Sequence, residues 1–219
     1  MTLIINRCLF IRRNLQMETY GFDKLSVRKL TTELEPDTAA KIHVLEGKQK
    51  EGGPTAFDLT GLSKEAVKVF AGNVEYYLAR KGTGSVAANF GLLDVPVEVE
   101  QEILGLIKMA EGIDGFGDET EPPYMSAVAE AEDLYGEPVA FAMVAGSFNR
   151  DGFSLATKND EDFTPEAGEY VYNAISRKVK IDTNEKTVKV LRAFGEEAVT
   201  KMKTAVLGEP ATPPSGGGQ

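Results

Sequence analysis

Apolar and polar positions alternate at short range over most of this chain, the pattern of half-buried strands. From Tyr20 onward the alternation predicts strands over 22–30, around Ile42 and Val44, and over 55–62, where Phe57 and Leu59 share a face. Residues 63–72 fit either a short helix capped by Ser63 or a strand built on Val67 and Val69. Further strands are predicted over 74–78, 85–93, 170–177 and 187–193, and another starts at Phe153. The two longest, 124–132 and 139–148, are joined through the turn residues of 133–138 as a hairpin. In the second of these Val139, Phe141, Met143 and Ala145 fall on one face.

Two segments carry a helical signal instead. In 94–105 Pro96 stands in the first turn, acids follow it, and Gly105 sits where a helix-ending glycine belongs. In 196–207 Val199, Met202 and Val206 form one stripe, acids precede lysines as the macrodipole favours, and Gly208 stops the helix. The stretches 46–54, 110–121 and 158–168 read as polar loops. Many strands, few helices, no internal repeat and no linker predict one α+β domain, mainly β, over residues 17–208.

Both ends depart from this pattern. Residues 1–16 are apolar and basic, with Arg7, Arg12 and Arg13 and no acid. A signal peptide places its positive charge before the apolar stretch, the reverse of the order here. The favoured reading is translation from Met17, because Arg12-Arg13 can be encoded AGG-AGG, a ribosome-binding sequence a short spacer upstream of that ATG. A structural N-terminal arm and a targeting segment are the other readings. Residues 209–219 are rich in Pro and Gly and are expected to be disordered.

Composition narrows the chemistry. The 219 residues include 22 Gly and 10 Pro, which suits many turns. One Cys (Cys8) and one His (His43) exclude a disulfide scaffold and the usual Cys/His zinc site. A net charge of −10, spread along the chain, disfavours a protein that grips duplex DNA through counterion release. It suits a surface that DNA slides past without sticking.

Each candidate motif has a plainer reading that fits better. Gly82-Thr83-Gly84 follows a strand as a dinucleotide loop would, but no helix N-terminus follows it to hold a pyrophosphate. The acids of 114–121 and 159–162 do not have the spacing of a calcium-binding loop and read as solvated turns. His43 lies in an alternating strand with no nucleophile setting around it. Tyr76, Tyr77, Tyr170 and Tyr172 lack neighbouring basic residues and read as packing rather than base-stacking groups. No enzyme activity, metal or cofactor is expected.

A series of short stretches from about Tyr20 to Arg177 points to a family. They are 20–25 (YGFDKL), 61–70 (GLSKEAVKVF), 74–77 (VEYY), 81–84 (KGTG), 93–99 (LDVPVEV) and 103–105 (ILG), then 122–124 (PPY), 132–141 (EDLYGEPVAF), 146–148 (GSF) and 155–159 (LATKN). In this order they resemble the major tail proteins, or tail tube proteins, of long non-contractile-tailed phages of Gram-positive bacteria. The resemblance implies a β-sandwich or barrel-like domain with one or two flanking helices. It implies six copies in a ring, and rings stacked into a tube through which genomic DNA leaves the capsid. The implied partners are further copies of the chain and other tail proteins, such as a tape measure and a tail terminator. The implied location is the virion tail, after assembly in the host cytoplasm. A long loop between early strands contacts the next ring in that family. Here it corresponds to 46–54, with Gly47, Lys48, Lys50, Glu51, Gly52 and Gly53 as the contact residues, expected to order on assembly. The competing reading is a monomeric β-sandwich module that recognises a carbohydrate or host surface. It would call for aromatic clusters in exposed loops, whereas 46–54 and 110–121 hold one aromatic, Phe116.

Overall fold

The computed structural model describes residues 18–71, 73–79, 82–154, 157 and 165–208, with the backbone alone for 67–71 and 74–79. The order of elements is β1 (Thr19–Lys29), β2 (His43–Glu46), β3 (Gly53–Thr60), β4 (Val67–Ala71), β5 (Val74–Ala79), β6 (Ala87–Leu93), α1 (Val97–Leu104), β7 (Ile107–Ala110) and β8 (Ile113–Gly115). The second half holds β9 (Met125–Asp133), β10 (Pro138–Asn149), β11 (Gly168–Ala174), β12 (Arg177–Ile181), β13 (Asn184–Val188), β14 (Val190–Phe194) and α2 (Glu196–Leu207).

One large antiparallel sheet runs β2-β1-β9-β10-β11-β6-β3, and β14 pairs with β10. Its edge strands, β2 and β3, are consecutive in the chain and joined by only residues 47–52. The sheet is therefore rolled until its two ends meet. Aromatic rings span the inside of the roll: Phe22 of β1 lies 5.8 Å from Phe57 of β3, and Phe57 lies 5.9 Å from Phe141 of β10. Three two-stranded ribbons, β4–β5, β7–β8 and β12–β13, stand apart from this sheet.

β10 organises both layers. Its first half pairs with β9 and β14, and its second half pairs with β11. Between Met143 and Gly146 it carries one more residue than β9 does between Ala127 and Met125, which is a β-bulge. The extra residue reverses the side-chain alternation, so Met143 and Phe148 both enter the inner core although they are an odd number of positions, five, apart. The face containing Met143 continues through Gly146 and Phe148, so Ala145 does not extend it. Gly146 is required there, because a Cβ would lie 2.2 Å from the Asn173 carbonyl oxygen and 2.7 Å from the Tyr172 ring.

Two cores lie on opposite faces of the sheet. The inner one gathers Leu25, Phe90, Met143, Phe148 and Tyr172, and is capped by Val99, Ile103 and Leu104 of α1. The outer one places Val128, Ala140, Ala142 and Val144 against Val199, Met202, Val206 and Leu207 of α2, with Val179 of β12 beside them. Burying each such aliphatic side chain contributes about 1.5–3 kcal/mol. β9 and β10 are covered on both faces, which explains their near-continuous apolar composition.

The α+β, mainly β architecture matches the sequence expectation, and several boundaries differ. Pro96 is the N-cap of α1 rather than a residue of its first turn, and Gly105 closes the helix in the left-handed conformation as expected. Residues 63–72 resolve in favour of a strand, β4. The acidic loop 110–121 holds β8, which pairs with β7. The strand expected over 170–177 ends at Ala174, and Arg177 starts β12. The strand expected over 187–193 is two strands with different partners, because β13 pairs with β12 and β14 with β10. Phe153 and Ser154 are not in a strand. The expectations for 1–16, for 209–219 and for most of 158–168 fall outside the described residues.

Candidate assembly surfaces

The six residues singled out for inter-ring contact lie at the junction of the two sheet edges. Gly53 is the first residue of β3 and pairs with Leu93, so the loop proper is 47–52. It closes on itself through backbone bonds, with Lys48 N donating to the Glu46 oxygen at 2.6 Å and Glu51 N to the Lys48 oxygen at 3.1 Å. Lys50, at φ 65°, donates its backbone N–H to Asp94 Oδ2 at 2.7 Å, tying the loop to the end of β6. Gly52, at φ 79°, is buried against Leu45, whose Cδ2 would lie 2.6 Å from an added Cβ. Gly47 faces open space. The Lys48 ammonium bridges Glu46 and Glu51. Its hydrogen bond holds the Glu46 carboxyl below its usual range and, reciprocally, raises Lys48. The loop is thus a preformed turn in the single chain, more closely held than its glycines and polar residues foretell.

Helix α1 is fastened by three consecutive polar residues that reach three different elements. Glu100 accepts from Arg150, which follows β10, and from the Tyr170 hydroxyl of β11 at 2.6 Å. Gln101 donates to Asp114 of β8 at 2.7 Å. Glu102 Oε2 lies 2.7 Å from His43 Nε2 at the start of β2. His43, the single histidine, is half-buried, one of the two placements its alternating strand suggested, and its pairing with Glu102 was not foreseen. Burial, then the Glu100 bond, pushes the Tyr170 hydroxyl far above its ordinary value.

Helix α2 is held at its C-terminus by two buried arginines from distant parts of the chain. Arg28 of β1 donates to the Leu207 oxygen, and its Nε donates to the carbonyls of Asp37 at 2.9 Å and Ala40 at 3.2 Å. Arg177 of β12 donates to the Ala205 oxygen at 3.0 Å and the Leu34 oxygen at 3.3 Å. The last carbonyls of a helix lack intrahelical partners and carry partial negative charge, so buried cations suit them. The sequence showed no basic residue in the last turn of α2, and these two supply the charge from outside. Burial lowers Arg177 from its ordinary value.

The ribbon β4–β5 projects between β3 and β6, and neither of its strands pairs with the large sheet. A two-stranded ribbon is marginal alone in water. Its sequences, VKVFA and VEYYLA, are mostly apolar.

The remaining sequence motifs are placed as follows, those at 159–162 and the side chains of Tyr76 and Tyr77 lying outside the described residues. Gly82-Thr83-Gly84 leads through residues 85 and 86 into β6, not into a helix, so the dinucleotide geometry is absent. Tyr170 and Tyr172 are core residues, and the Tyr172 hydroxyl donates to the Met125 oxygen at 2.7 Å. Among the described residues no cluster of His, Cys, Asp or Glu is placed to hold a metal, and no helix is long and apolar enough to cross a membrane.

No curated protein matches the chain. A family model, that of the phage tail tube protein, matches residues 33–201, well over half of the sequence, from before β2 into the first half of α2. The chain belongs to the phage tail tube protein family.

Proposed function

We propose that this structural tail protein associates into hexameric rings, which stack into a tube that conducts genomic DNA out of the capsid. The match over residues 33–201 carries the reading. One domain spans 17–208. Its partners are its own copies, with a tape measure protein and a tail terminator at the ends of the tube. The net charge of −10 suits a conduit, because an acidic wall offers the duplex no counterion-releasing grip. Neighbours contact one another through the β4–β5 ribbon and the preformed turn of Gly47, Lys48, Lys50, Glu51, Gly52 and Gly53.

Negative-stain microscopy of the concentrated protein tests the reading, and sixfold rings or tubes are expected. A species that stays monomeric at high concentration across salt conditions would overturn it and favour the binding-module alternative. Replacing 47–52 by Asn-Gly should leave a folded chain with shortened tubes. Tubes of ordinary length and salt resistance would reduce that turn to a connector.

A further inference from the structure

The turn between β2 and β3 holds two lysines in different situations. The Lys48 ammonium is occupied within the turn, where it bridges the carboxylates of Glu46 and Glu51. Lys50 is exposed, and among the described residues its ammonium meets no acid. Its backbone is held instead. The Lys50 N–H donates to Asp94 Oδ2 at 2.7 Å, which ties the turn to the junction of β6 and α1, 44 residues away.

Both residues of this bond are left-handed, Lys50 at φ 65° and Asp94 at φ 51°. Aspartate tolerates that conformation better than most side chains, and lysine is not favoured there. Glycine would take position 50 without strain, as Gly52 does at φ 79° two residues on. A strained lysine left unpaired within its own chain implies a role for its side chain outside it.

Charge indicates what that side chain meets. The chain has 34 acids against 24 lysines and arginines, so a neighbouring copy presents a surplus of carboxylates. An ammonium is a compact donor suited to one of them. A turn already fixed in shape loses little freedom when it makes contact. We infer that Asp94 is the positioning residue of the contact turn, and that Lys50 rather than Lys48 forms its ion pair, with a carboxylate of the next copy. This inference rests on the tube reading above.

Three measurements on the full chain test it. In dilute, unassembled protein, hydrogen exchange at the Lys50 amide reads the Asp94 bond. Asp94→Gly suits the left-handed backbone and removes the acceptor, and it should speed that exchange about tenfold. Asp94→Asn keeps an acceptor oxygen and should leave the exchange slow. In assembled protein, a carbodiimide joins an ammonium to a carboxylate in contact with it, and mixing isotopically heavy and light copies separates links between copies from links within one. Lys50 should be linked to an acid of another copy, and Lys48 to Glu46 or Glu51 of its own. Finally, Lys50→Met should raise the protein concentration at which tubes form about threefold or more. Asp94→Gly should raise it too, and Asp94→Asn should not.

A Lys50 amide that exchanges as fast in the wild type as in Asp94→Gly would overturn the role of Asp94. Links between copies through Lys48 and none through Lys50, or tubes from Lys50→Met at the wild-type concentration, would overturn the contact. If wild-type tubes form while any of these occurs, the tube reading stands and this inference alone is wrong. A wild type that forms no tubes at any concentration removes the tube reading and the Lys50 contact together, and amide exchange still decides whether Asp94 presets the turn.

Discussion

The two helices are attached to the same sheet by different means. α1 closes the inner core with three apolar residues and fastens its polar face through Glu100, Gln101 and Glu102, each to a separate element. α2 lies flat on the outer face, where Lys203 pairs with Glu130 of β9 at 3.0 Å, and at its end Arg28 and Arg177 reach its terminal carbonyls. Distributed partial tethers tolerate the loss of one member. A buried cation serving several carbonyls does not, because its removal strips a donor from all of them at once inside the protein.

The largest expected effect follows from this contrast. Arg28→Met should destabilise the chain by about 3–5 kcal/mol, read by chemical denaturation, because the carbonyls of Leu207 and Ala40 lose the arginine together and that of Asp37 keeps only the Ala40 N–H. A loss under 1 kcal/mol would show that α2 is held by its apolar stripe alone. Glu100→Gln should cost about 1 kcal/mol, since the amide keeps a contact to Tyr170 and the other two tethers remain. An equal loss in the two variants would erase the distinction between the helices.

The smallest and most specific effect is in the alkaline range. Tyr170 is raised by burial and then by Glu100, and Tyr172 by burial. Folded values above the unfolded value of 10.0 mean that stability is complete below pH 10 and falls as pH rises beyond it, where the unfolded chain ionises first. Phenolate absorbance from these two should therefore appear only together with unfolding. In Glu100→Gln the ionisation of Tyr170 should move down while that of Tyr172 stays, and movement of both would mean that α1 had come loose.

What could be read in the sequence divides along similar lines. The stripe of Val199, Met202 and Val206 and the glycine after it are local signals, and α2 falls where they place it. The hairpin of β9 and β10 was equally legible, because its turn residues and apolar runs are contiguous. The bulge was not, since the reversal at Gly146 depends on Tyr172 and Asn173 approaching from β11. β7–β8 was hidden by the acids and glycines around it. Lys189, between β13 and β14, gave no sign that the strand is divided there. Arg28 reads as the solvent side of an alternating strand, and only the helix that closes over it, 179 residues away, makes it a buried residue. Of the residues proposed for contact between rings, the turn around Lys48 was visible as charge and glycine, but its anchors Leu45 and Asp94 were not.

That span of 179 residues also orders events during synthesis. β1 pairs with β2 soon after it emerges, yet its other edge waits for β9, and its arginine waits for Leu207 near the end of the chain. Pairings so distant in sequence form slowly and late. A nascent chain still on the ribosome holds an unfinished sheet with no outer helix, and it cannot present a completed subunit to a neighbour. The outer core and the Arg28 anchor are thus among the last parts of the fold to be completed.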